Sequence, residues 1–166
     1  MSTVSLAKVV VAGFGSSDRH DDGVGATVAE QAALRVSPSS YVGPLSDPLD
    51  LLGVWDGADL VVVVDALHSG APVGTVHTLE IEVDHASHHV TDAPITAGEA
   101  STHGLGLVAV LRLARALGQA PRRLVVVGIE GERFDLGHGL SDVVEAAVPD
   151  AVQRVVDLIR EARQCA

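Results

Sequence analysis

Cysteine is almost absent: Cys165, next to the last residue, is the only one in the chain. An internal disulfide and a cysteine-built zinc site are therefore both excluded. Aromatic residues are nearly as scarce, at 2% against 47% hydrophobic overall, which leaves the core to Val, Leu and Ala. Basic residues are outnumbered, 11 against 22 acidic, giving a formal net charge of −11. A field of that sign repels phosphate backbones, so nucleic acid is not an expected partner. No apolar run approaches the roughly 18 to 20 residues of a membrane helix, and the N-terminus lacks the charged start and extended apolar stretch of a secretory signal. The expectation is a soluble cytoplasmic protein with no membrane partner. A G-x-S-x-G elbow, an H-E-x-x-H pair, internal repeats and low-complexity tracts are also missing.

What is present is an alternation of apolar runs and amphipathic stretches over 166 residues, expected to form one domain over 1–166. Residues 9–12 read as a buried strand that hands over to Gly13-Phe-Gly15. Val24, Val28 and Ala32 then recur at i, i+4, i+8 on a helix starting near Gly23. Asp21 and Asp22 fall at its first turn, where unpaired amides favour negative side chains. Residues 36–42 form a weaker strand, broken by Pro38 and so placed at an edge. Asp47 is positioned to cap a helix that has Pro48 first, turns Leu49, Leu51 and Leu52 inward, and ends before Gly57.

Residues 60–64 are a continuous apolar run between Asp59 and Asp65, the pattern of a strand buried on both faces. Residues 76–83 alternate, with His77, Leu79, Ile81 and Val83 on one side, which predicts a half-exposed strand near an edge. Residues 84–102 show no sustained period and read as a long loop of functional or mobile character. Leu107, Val110, Leu111, Ala114 and Leu117 follow the helical period, with Gly118 and Pro121 as the stop. Residues 124–129 read as another buried strand, and 130–139 as a polar loop carrying Glu130, Asp135 and His138. Ser141 is placed to cap the last helical region, which Pro149 is expected to kink or divide. Together these units predict an α/β fold, a three-layer sandwich with a twisted, mostly parallel sheet of about five strands and helices on both faces.

In such sheets the loops at the carboxyl ends of the strands form the ligand crevice. Asp22, Asp65 and His103 each fall in or beside a loop that can reach that edge. Two carboxylates and an imidazole suit a divalent transition metal with open positions. Singly, Asp65 reads as a cap at a strand end and His103 as a capping or packing residue before a helix. The Gly13-Phe-Gly15 step also invites a nucleotide-binding α/β domain, but Asp18 replaces the third glycine of G-x-G-x-x-G and two further aspartates crowd the pyrophosphate position. His85, His88 and His89 read as solvated loop residues rather than a second metal cluster.

Four segments taken in order carry a family resemblance: 9–25 with Asp21-Asp22-Gly23, 59–66 with Asp65-Ala66, 101–111 with His103, and 125–141 with Gly128-Ile129-Glu130 and Gly139-Leu140-Ser141. In these the chain resembles the hydrogenase maturation endopeptidases, which trim the C-terminus of the nickel–iron hydrogenase large subunit. The resemblance implies a twisted sheet between helices. It also implies that Asp22, Asp65 and His103 are the nickel-binding and catalytic residues, with nickel supplied by the [NiFe]-hydrogenase large-subunit precursor and serving as the recognition element. Two departures stand out: Ser16 replaces the usual asparagine of the first loop, and Gly43-Pro-Leu-Ser46 replaces an Asp-Gly-Gly-Thr turn. A non-catalytic, nickel-dependent assembly chaperone of the same fold is the alternative, and a nucleotide-binding domain the third reading.

Overall fold

The computed structural model describes residues 6–81, 83 and 104–165. The expected loop with His85, His88 and His89, and His103 after it, lie outside the described residues.

Strand β1, Val9–Phe14, is buried at every position and runs into a 3-10 turn, His20–Gly23, and then helix α1, Val24–Arg35. Asp21 and Asp22 thus stand in a turn ahead of the helix rather than inside its first turn. Strand β2 spans Ser40–Leu45, β3 Leu60–Leu67 and β4 Val76–Ile81. Helix α2, Gly104–Ala116, leads to β5, Leu124–Glu130, and helix α3, Asp142–Gln164, closes the order. The strands form one sheet in the order β2-β1-β3-β5-β4, in which only β4 is antiparallel to its neighbour.

The continuous runs of Val, Leu and Ile explain the middle of the sheet. β3 and β5 are buried at every position, because helices cover both faces. Alternation splits their side chains. Leu60, Val62, Val64, Val125 and Val127 pack with α1 and α3, whereas Val61, Val63, Leu124 and Val126 pack with α2 and the segment from Leu51 to Trp55. The result is the three-layer α/β sandwich, its five strands mostly parallel. The edge strands β2 and β4 are only partly buried, as their mixed composition predicts.

Several local expectations need correction. The segment after Asp47 is a single 3-10 turn, Pro48–Leu51, with Asp47 accepting from the Leu49 amide at 2.9 Å. Leu51 points inward, but Leu49 is 53% exposed, because one tight turn cannot present three leucines to the same side. Leu117 is likewise exposed, beyond the end of α2. Glu130 is not a loop residue; it ends β5 and is buried. Helix α3 runs unbroken through Pro149. Buried Val144 and Val148 before the proline and Ala151, Val152, Val155 and Val156 after it hold both parts against one core, and that packing outweighs the lost backbone bond.

Ser141 does sit at the N-cap of α3, but its side chain makes no cap bond. Its hydroxyl instead donates to Asp21 Oδ2 at 3.0 Å, and its amide donates to Asp21 Oδ1 at 2.7 Å. The amides of Glu132 and Arg133 also donate to Oδ2, each at 3.0 Å. Asp21 is wholly buried. Burial by itself raises a carboxyl pKa, but these four hydrogen bonds to the charged form outweigh it and hold Asp21 below the ordinary aspartate value. Backbone bonds from His20 and Asp21 to Gly137 and Arg133, each 2.9 Å, reinforce the same junction.

Two consequences are measurable. A Cβ on Gly25 would lie 2.5 Å from the carbonyl oxygens of Phe14 and Val64, so Gly25→Ala is expected to cost about 1–3 kcal/mol in urea unfolding. For Asp21 the folded pKa is lowered, so its contribution is complete above the unfolded value of about 3.9 and disappears as pH falls through the folded value. Asp21→Asn should lose about 2 kcal/mol or more at neutral pH. Urea midpoints followed downward from about pH 5 should fall less steeply for the variant than for the wild type.

Candidate active site

Because β1, β2, β3 and β5 are parallel, their carboxyl ends share one edge of the sheet. The chain leaves β1 toward β2 on one side and returns to β3 on the other. That reversal makes the gap between the ends of β1 and β3 the topological switch point, where sheets of this kind hold their ligands. Asp22 follows β1, and Asp65 lies near the end of β3.

Glycine at two positions allows the crevice to close. Gly15, at φ +103°, has no room for a side chain, because a Cβ would overlap the Asp22 carbonyl. With the chain that close, the Ser16 amide donates to Asp22 Oδ2 at 2.8 Å. One carboxylate oxygen of a half-buried side chain is thereby fixed. Gly25, one helical turn beyond Asp22, brings the start of α1 so near β3 that a Cβ there would lie 3.0 Å from Asp65 Cα. The segment that carries Asp22 is thereby held close to the backbone of β3 at Asp65. The Ser16 amide, one that a pyrophosphate would otherwise use, is already taken by Asp22, which weakens the nucleotide reading further.

Asp65 is 4% exposed, and its Oδ1 accepts from the Ala66 amide at 2.9 Å. By alternation it belongs to the face that α2 covers, opposite to that of Val64 and Ala66. Helix α2 begins at Gly104, and its Gly106 lies against Pro48, which follows β2 at the same carboxyl edge. His103 immediately precedes that helix in sequence and lies outside the described residues. Among the described residues no three His, Cys, Asp or Glu side chains gather closely enough to hold a metal ion by themselves.

Around these carboxylates stand groups that sequence reasoning had underrated. His20, at φ +48° and 9% exposed, places Nδ1 2.9 Å from the Gly139 carbonyl and Nε2 3.0 Å from an Arg133 guanidinium nitrogen. Arg133 can only donate, so Nδ1 carries the imidazole proton. A Cβ on Gly137 would run into this ring, so the glycine makes space for it. Glu130 is the other case. Its side chain is 1% exposed, and it accepts from the Ser69 amide at 3.0 Å and from the Ser69 hydroxyl. The sequence held the signal for Glu130: like Asp65, it is a carboxylate at the end of an uninterrupted apolar run.

The fold and sequence can be set beside known proteins. A family model described as hydrogenase maturation protease matches residues 46–158. The Hydrogenase 2 maturation protease of Escherichia coli is 30% identical over 159 residues, covering 93% of this chain and 92% of that protein. The hydrogenase expression/formation protein HoxM of Cupriavidus necator is 31% identical over 156 residues, covering 92% of this chain and 74% of HoxM. Among solved structures, the hydrogenase maturating endopeptidase HybD from E. coli superposes with a TM-score of 0.74 at 26% identity, over 93% of both chains. A HybD from Thermococcus kodakarensis has the same fold, with a TM-score of 0.74. With a family model spanning most of its length and a named protease matched nearly end to end, this chain belongs to the hydrogenase maturation protease family and is a peptidase.

Proposed function

We propose that this peptidase removes the C-terminal extension of a nickel-loaded [NiFe]-hydrogenase large-subunit precursor, and that it recognises the precursor by its nickel. The observation that supports this most is the position of Asp22 after β1 and of Asp65 near the end of β3, the two strands that border the switch point, in a chain of the protease family.

The nickel belongs to the substrate. Carboxylates from Asp22 and Asp65, with the imidazole of His103, make a donor set of borderline hardness that suits such an ion, and the precursor's own cysteines would supply the remaining ligands. An ion so held polarises the scissile carbonyl or lowers the pKa of a water. The chain's own part is to bind and orient. Ser16 fixes one oxygen of Asp22, and the other is left to face the substrate or to accept a proton from the attacking water. The strong negative charge of the whole chain favours a partner that presents a cation at the crevice. Recognition through the metal ties cleavage to nickel insertion, since a precursor without nickel offers nothing for the carboxylates to hold.

Intact-mass measurement decides the matter. Purified protein incubated with nickel-loaded precursor should yield a shortened large subunit, and nickel-free precursor should stay intact. Asp22→Ala and Asp65→Ala should each slow cutting by about 100-fold or more, the range for losing a group that acts directly on the reaction. Equal cutting by Asp22→Ala and wild type would remove the metal-recognition reading. A stable complex whose precursor mass never changes would point instead to an assembly chaperone of the same fold.

A further inference from the structure

The Glu130 carboxylate is not used by the reading above, yet it is 1% exposed. Its Oε2 accepts from the Ser69 amide at 3.0 Å, and its Oε1 takes the Ser69 hydroxyl. His77 Nε2 also approaches Oε1, at 3.4 Å. That nitrogen is enclosed and has no aligned hydrogen-bond partner among the described residues, whereas the His77 side chain as a whole is 42% exposed. The ring therefore sets one nitrogen against a buried carboxylate and keeps part of itself in the open. A carboxylate at one nitrogen fixes which way an imidazole faces and leaves the other nitrogen, Nδ1, for chemistry.

The register of the sheet relates this pair to the crevice. Asp65 pairs with Gly128 across β3 and β5, and His77 pairs with the same Gly128 across β4 and β5. The three residues form one row, so Asp65 and His77 are two strand spacings apart, about 10 Å between Cα atoms. Both belong to the face that α2 covers, because Val63 and Leu79, two residues from each along its strand, pack there. Gly128 puts nothing between them, and the Leu67 side chain fills the place its Cβ would take. Asp65 in this row and Leu67 over it are buried, at 4% and 3% exposed, so His77, at the β4 end of the row, is the member that a substrate bound at the carboxyl edge can reach.

We infer that His77 is a catalytic residue of the cleavage, delivering a proton to the nitrogen that leaves the scissile bond, with Glu130 as the residue that positions it. The inference rests on the processing activity proposed above. In the hydrolysis a water oxygen bonds to the scissile carbonyl carbon and the carbon–nitrogen bond breaks. The departing nitrogen takes its proton from Nδ1 of the His77 imidazolium, which becomes the neutral imidazole, and the proton released by the water is accepted by a crevice carboxylate. Proton exchange with solvent then restores both groups. One water is consumed, and a carboxylate and an amine are formed.

The test uses the full chain and nickel-loaded precursor, with intact mass and initial rates as readouts. His77→Gln should melt like the wild type, bind precursor with an unchanged KM and lose about 100-fold in kcat. His77→Ala should regain part of its rate when free imidazole is added, a recovery that a purely structural histidine would not give. Glu130→Gln should lower kcat while leaving KM in place. The inference is overturned if His77→Gln cuts at the wild-type rate. It is equally overturned if the loss appears in KM with kcat preserved, which would make His77 a docking residue. A wild-type chain that leaves the precursor at full mass would overturn the processing activity and this inference together, an outcome distinct from the other two.

Discussion

The Asp21 carboxylate receives the amides of Glu132, Arg133 and Ser141 and the Ser141 hydroxyl, and through them the turn after β1, the loop after β5 and the first turn of α3 become one unit. A buried charge is costly unless its lone pairs are satisfied, and here three of the four bonds come from backbone donors that have no freedom to drift away. The arrangement also uses the amide of Ser141, at the N-cap of α3, which would otherwise lack a partner. An acidic side chain from a distant turn has replaced the local cap that Ser141 would have supplied. The carboxyl edge of the sheet is thus held by an interaction joining residues about 110 to 120 positions apart.

Asp22 is the neighbour that benefits. The two aspartates are adjacent and chemically identical, but in a 3-10 turn consecutive side chains point about a third of a revolution apart. Asp21 is turned into the protein and fully satisfied, whereas Asp22 is half buried, with one oxygen on the Ser16 amide. Fixing the first thereby aims the second. The same logic assigns the glycines. Gly15 and Gly25 act by their lack of Cβ, which lets the Asp22 carbonyl and the end of β3 approach the chain closely. The phosphate-cradle reading of Gly13 and Gly15 loses support, because the space beside them is taken by the backbone of Ala26 and Asp22.

How far the sequence disclosed this arrangement depends on the kind of information each residue carries. Continuous apolar runs made β3 and β5 readable, since only a strand covered on both faces can be uniformly Val and Leu. The parallel sandwich followed from their alternation with helical periods. Asp65 was legible because a carboxylate at the end of such a run is conspicuous. Glu130 carries the same mark, yet it reads as the start of a polar loop because Glu132, Arg133 and Asp135 follow it. Its burial depends on Ser69, some sixty positions earlier, and local pattern carries no such partner. The diversion of Ser141 to Asp21 and the continuity of α3 through Pro149 have the same cause: tertiary contacts overrode local capping and helix-breaking tendencies. The division of roles between Asp21 and Asp22 could be suspected from order alone, but the four donors that settle Asp21 come from the far end of the chain.

Asp65 and Glu130 offer a final contrast. Asp65 lies near the end of β3 and Glu130 ends β5; both are nearly inaccessible, and by alternation both belong to the face under α2. Glu130 is met by a backbone amide, a hydroxyl and the edge of an imidazole, the surroundings of a group that steers another. Asp65 lies beside the switch point, where the topology directs ligands. Fold alone does not assign chemistry to either, since the same sheet supports unrelated functions. What distinguishes them is the row in which each stands. Asp65 shares its row with Gly128, and the absence of a side chain there keeps the span from Asp65 to His77 free of a bulky β5 residue. A larger residue at Gly128 would displace Leu67, so the glycine in the middle of an otherwise valine-rich strand is explained by the room that the buried Leu67 side chain takes over it.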